Sequence, residues 1–139
     1  MKNFLEIKIL IACTLFQAIS GLGGGVFLIA DPTGETLSLP LCFLGNSPFP
    51  DYLVPGIILF TVLGLYPLIV SAGLWKRKYW SWLGSLLLGV ALLIWIIVEI
   101  IIIGYQSNPP LQLIYGILGV AILLMTSLSR VKKFYSARK

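Results

Sequence analysis

Polar residues in this chain are confined to short interruptions between long apolar runs. Four runs stand out, over residues 9–30, 53–74, 82–103 and 111–128. Each is long enough for a helix rising 1.5 Å per residue to cross about 30 Å of hydrocarbon, the core of a bilayer. Lipid offers no partner to a backbone N–H or C=O, so helices are the expected form of the runs. None of them alternates polar and apolar residues, which excludes a transmembrane barrel. The predicted fold is an all-α membrane protein: one domain over residues 1–139, built as an up-down bundle of four transmembrane helices with an ordered outer loop over residues 31–52. The first run also carries signal-peptide features, a charged start at Lys2 and the small residues of Ala18-Ile19-Ser20. Its apolar stretch continues through Val26-Phe27-Leu28-Ile29, so it is expected to stay as a span.

Composition agrees with lipid as the solvent. Apolar residues make up 58% of the chain and charged residues 11%, against about 25% charged in an ordinary soluble domain. The mean hydropathy is +0.99. The net charge of +5 does not point to nucleic acid, because the basic residues flank apolar runs and form no basic face. All ten fall in three places: Lys2 and Lys8; Lys76-Arg77-Lys78; and Arg130, Lys132, Lys133, Arg138 and Lys139. Four spans put these places on one side, and the loops of the other side, residues 31–52 and 104–110, contain no Lys or Arg. By the positive-inside rule the basic side, with both termini, is cytoplasmic. The basic tail is chiefly a topology signal, with contact to anionic lipid as a lesser reading. Trp75, Tyr79, Trp80 and Trp82 are expected at the inner interface and Tyr52 and Tyr105 at the outer one. Histidine is absent and the two cysteines, Cys13 and Cys42, have no metal-ligand spacing, so neither a metal nor another cofactor is expected.

The outer loop has legible turn chemistry. Asp31-Pro32-Thr33-Gly34 fits a type I turn, and Asp51 is placed to cap the second helix ahead of Pro55 in its first turn. Between them, residues 37–45 are too apolar for a free loop and are expected to cover the outer mouth of the bundle. The run Asp-Pro-Thr-Gly, then Leu-Pro-Leu, then Ser-Pro-Phe-Pro-Asp-Tyr-Leu-Val-Pro-Gly, between Asp31 and Gly56, resembles a group of small uncharacterised bacterial four-helix membrane proteins; Trp95-Ile96-Ile97-Val98-Glu99 echoes it in the third helix. The resemblance implies a bacterial inner-membrane protein and brings no activity with it.

Glu99 is the residue on which function turns. It precedes Ile103 by one helical turn, about 6 Å below the outer end of its span. A carboxylate at the bilayer centre costs about 3 kcal/mol on insertion scales, so Glu99 is expected to face the bundle interior or a wet cavity. The competing reading is a protonated carboxyl that only bonds across helices. Helical spacing puts Trp95, Leu92, Leu88, Ser85 and Ser81 on its face. Corresponding stripes are Gln112, Tyr115, Gly116, Gly119 and Thr126 in the fourth run, Cys13, Gln17, Ser20, Gly21 and Gly24 in the first, and Thr61, Gly64, Leu68 and Ser71 in the second, where Pro67 should distort the helix. Close packing at small residues accounts for most of these, and Gly21 to Gly25 contains a Gly-x-x-x-Gly spacing. The polar remainder defines the candidate ligand site: Glu99, Gln112, Tyr115, Gln17, Trp95 and Thr61, in an outward-facing pocket.

Two function classes stay nearly level. One is binding or translocation of a small or lipid-like ligand around Glu99; transport by so few helices would need a homodimer. The other is a non-catalytic accessory or assembly subunit that docks its small-residue stripes on a larger membrane complex. A lipid-acting enzyme using Asp31, Asp51 and Glu99 around a hard cation is the weakest, since turn and cap roles account for the two aspartates. Membrane lipids are the expected partners in any of these.

Overall fold

The computed structural model describes residues 2–35, 45, 48–104 and 111–137, and among them every regular element is helical. Helix α1 runs over Lys2–Ala30. Helices α2 (Leu53–Phe60) and α3 (Tyr66–Trp75) are joined by a π-helical turn, Thr61–Leu65, into one rod. Helices α4 (Tyr79–Ile103), α5 (Leu111–Ser127) and α6 (Ser129–Ser136) follow. Three helices (α1, the α2–α3 rod and α4) are long and apolar enough to cross a membrane, and α5 with α6 makes a fourth if that pair, bent by 62°, counts as one span.

The bend was not expected from the apolar pattern. Leu128 adopts an extended conformation, ψ 135°, and the basic tail turns into α6 instead of trailing away. Spacing explains the helix: Val131 and Tyr135, one turn apart, are both fully buried while Lys132 and Lys133 stay exposed. The Tyr135 hydroxyl donates to the Leu74 carbonyl at 2.9 Å, an acceptor at the end of α3 that also takes the Arg77 N–H. Arg130 pairs with Glu6 at 2.9 Å and Arg77 lies over the Phe134 ring at 5.8 Å. The start of α1, the α3–α4 turn and α6, the three basic segments of the sequence, therefore meet at one end of the molecule. Within that turn Lys78 N–H bonds to the Gly73 carbonyl and Arg77 N–H to that of Leu74, a Schellman arrangement that holds Arg77 at φ 61°.

Glycine sets how closely α1 approaches the α2–α3 rod. A Cβ at Gly21 would lie 1.8 Å from the Leu63 carbonyl oxygen, and one at Gly25 would lie 2.7 Å from the Phe60 Cα. Gly64 and Gly56 supply the matching gaps on the rod, against Leu22 and Leu28. This is the backbone-to-backbone contact that Gly-x-x-x-Gly spacing permits. Gly24 is not part of it; its neighbour is the tip of the Leu59 side chain at 3.0 Å, and beside Gly23 the space is open.

On the other side of the molecule α4 packs on α3 and α5. Trp82, expected in the interfacial belt, turns inward instead. Helix α4 begins at Tyr79, so Trp82 lies on its second turn, and its indole N–H reaches the carbonyl of Thr126 in the last turn of α5 at 2.8 Å. Ser85 and Thr126 hydroxyls meet beside it at 3.1 Å. Trp75 keeps its surface position and is 73% exposed.

The opposite end carries the loop. Its first turn closes as expected, Gly34 N–H to the Asp31 carbonyl, and Asp51 accepts the N–H of Leu53 at 3.0 Å. Tyr52 N–H bonds to the Pro32 carbonyl at 2.9 Å, which pins the two ends of the loop together, and the Tyr52 ring is buried on Leu28. The expected apolar cover over residues 37–45 lies, apart from Gly45, outside the described residues, as does Tyr105.

Candidate functional site

Helices α4 and α5 diverge toward the loop end, and this makes the site. They are tightest where a Cβ on Gly89 would come within 2.6 Å of Leu123 and one on Gly119 within 3.1 Å of Leu93. One turn along α5, at Gly116, the nearest atom is Ile96 Cγ2 at 4.0 Å. The widening gap is an open groove of about 430 Å³ lined by Leu93, Ile96, Ile100, Leu113, Gly116 and Ile117, with Gln112 at its end.

A polar bridge closes the wide end. The buried Gln112 side chain donates to Glu99 Oε1 at 3.3 Å and to the Gly104 carbonyl at 3.2 Å. Trp95, one turn before Glu99 on α4, lies beside its carboxyl. Gly104 makes this geometry accessible: it ends α4 at φ 77° and ψ 170°, a conformation essentially restricted to glycine, and so turns its carbonyl back toward α5. The bridge's donor to Glu99, the Gln112 amide, is neutral. Lys78, the nearest basic residue along α4, lies at the far end of that helix, about 30 Å away at 1.5 Å per residue.

Of the six residues singled out in the sequence, the structure joins Glu99, Gln112 and Trp95. The other three are engaged elsewhere. Gln17 is 2% exposed and its amide donates to the Leu63 carbonyl across the α1 contact. Tyr115 stacks on Phe16 of α1, with ring centroids 6.0 Å apart. Thr61 is exposed on the stripe that also carries Ile57 and Leu65, and bonds back to the Ile57 carbonyl at 2.8 Å. A threonine satisfied by its own helix has no need of an interior partner, so spacing from Gly64 misled. Leu68, read on the same inner face, is likewise exposed. The sequence reading did not single out Gly104 or the aliphatic lining of the groove. A glycine directly after the apolar run that holds Glu99 was the available signal for the first.

The chain matches no family model, no curated protein and no solved structure.

Proposed function

We propose that this chain is a small polytopic protein of a bacterial inner membrane that binds or translocates a small or lipid-like ligand at the Glu99–Gln112 bridge. It would cross the bilayer four times as an up-down bundle, with both termini cytoplasmic. The apolar exterior supports the membrane part of this reading: Ile101, Ile19, Leu87 and Leu124 are each more than 60% exposed, surface that water would not tolerate on this scale. The meeting of the three basic segments at one end, opposite the base-free loops, supports the orientation.

One observation carries the functional part. The neutral Gln112 amide, at one end of an apolar groove, holds Glu99 beside it, and the loops of that end, residues 31–52 and 104–110, contain no Lys or Arg. An intramembrane carboxylate without a protein counter-charge is suited to take a cation or a proton together with its ligand. The accessory-subunit reading needs small-residue stripes free to dock on another protein. Gly21, Gly25, Gly56, Gly64, Gly73 and Gly89 instead meet neighbours within the chain.

Purification in mild detergent followed by mass spectrometry tests the proposal. The native chain should carry a bound lipid or small molecule, and Glu99→Gln should fold equally well yet carry less of it. A stoichiometric protein partner with no bound small molecule would overturn the proposal in favour of the subunit. Reporter fusions test the orientation: residue 77 and the C-terminus should read cytoplasmic and residue 45 external.

A further inference from the structure

We infer that the ligand of the α4–α5 groove is a membrane lipid whose headgroup carries a primary ammonium, its chain lying on Gly116 and its nitrogen paired with Glu99. This rests on the reading of Glu99–Gln112 as a binding site and names the class of ligand.

Shape argues for the chain. From Leu113 to Val120 the groove follows α5 for about 10 Å at 1.5 Å per residue, and it opens sideways along its length. Gly116 removes the one side chain that would fill its floor. Apart from Gln112 its lining is aliphatic, so it offers a methylene chain continuous contact and gives a sugar or a nucleobase no ring to stack on and no donors to read.

Charge argues for the head. Glu99 lies across the Gln112 amide from the groove's end, and every Lys and Arg among the described residues belongs to the three segments gathered at the opposite end. A phosphate or carboxylate head without a cation would meet Glu99 as a like charge in a low-dielectric setting, where repulsion is strongest. A choline head supplies charge but no N–H. A primary ammonium supplies charge and three donors, so it can bond the carboxylate directly. The lipid's phosphate then sits farther out, toward the headgroup layer.

The test uses the full chain in nanodiscs made from equal parts of phosphatidylethanolamine, phosphatidylcholine and phosphatidylglycerol with identical acyl chains. The protein is re-extracted in mild detergent and the lipids it retains are counted by mass spectrometry. The native chain should retain the ethanolamine lipid over the other two by about fivefold, the size expected of one charge contact near a membrane surface. Glu99→Gln should abolish the preference by lowering retention of the ethanolamine lipid alone, so that total retained lipid falls with it. Gly116→Leu and Ile117→Trp, one at the open floor and one at an exposed position, should lower total retention, with thermal unfolding confirming that each is folded. Equal retention of the three lipids by the native chain, or a preference that survives Glu99→Gln, overturns the ammonium assignment and leaves a lipid-like ligand standing. Retention unchanged by both groove-filling variants overturns the groove. A native chain that retains no lipid removes the lipid-like ligand from the binding proposal as well.

Discussion

The side-chain amide of Gln17 donates to the main-chain carbonyl of Leu63 at 3.0 Å, and the cause lies four residues further on, at Pro67. In an α-helix the Leu63 carbonyl would accept the N–H of residue 67, and proline has none. The rod absorbs the defect as a π turn in which Tyr66 N–H reaches back to the Thr61 carbonyl. That leaves Leu63 facing α1 with an open acceptor, and Gln17 occupies it. Gln17 and Pro67 should therefore be coupled. Gln17→Leu alone should destabilise the protein, because a buried carbonyl loses its donor. In a Pro67→Ala background residue 67 can satisfy that carbonyl, and the same change should cost less. A coupling of about 0.6–1.7 kcal/mol is the range for transmembrane hydrogen bonds. Unfolding of the four proteins in detergent measures it, and strictly additive effects would show that Pro67 is not the reason for the contact.

The glycine cluster separates what the sequence made legible from what it did not. Gly-x-x-x-Gly spacing identified α1 as a helix with a close-contact face. Its two ends, Gly21 and Gly25, do make the contact, whereas Gly24, expected there with them, meets only the tip of Leu59, because the position of the rod decides which face is used. Gly21→Ala should be severe, because its methyl would meet a main-chain oxygen at 1.8 Å that has no rotamer to escape into. The overpacking scale of about 1–3 kcal/mol is a floor for it. Gly23→Ala meets open space and should be neutral or stabilising, by up to about 1 kcal/mol, from helix propensity. Thermal stability of the two in detergent should differ in sign or by a wide margin; similar losses would mean that α1 is rotated from the position described.

Helix α6 was the part of the fold that apolar runs could not reveal. Its segment is rich in Lys and Arg, and its two anchors, Val131 and Tyr135, are too few to register as a run. Tyr135→Phe keeps the packing and removes only the bond to Leu74. It should cost about 1 kcal/mol, the usual net worth of such a bond, since the Leu74 carbonyl keeps the Arg77 N–H as a donor. Proteolysis should then cleave the tail faster than in the native chain. Native-like resistance would show that the hydroxyl bond does not hold α6 in place.

The site gives the sharpest contrast, between two residues that the sequence treated alike. Gln112 and Thr61 are both polar, both in the outer half of an apolar run, and both spaced from a small residue on the same helix. Spacing placed Glu99 and Gln112 together, as their contact shows, because a carboxyl within an apolar run has few polar groups to turn to. They could not place Thr61, whose hydroxyl is satisfied within its own turn on whichever side it points. Gln112→Leu should remove the donor from both Glu99 and the Gly104 carbonyl. With two acceptors affected, a loss of about 1–3 kcal/mol is expected, and bound ligand should fall with it. Thr61→Val removes a hydroxyl that bonds only backward and faces out, so stability should change by less than about 0.5 kcal/mol and ligand retention should not change. Detergent unfolding and mass spectrometry of retained ligand read both quantities on the same preparations. Loss of ligand in Thr61→Val, with Gln112→Leu unaffected, would move the site from the α4–α5 groove to the outer face of the α2–α3 rod.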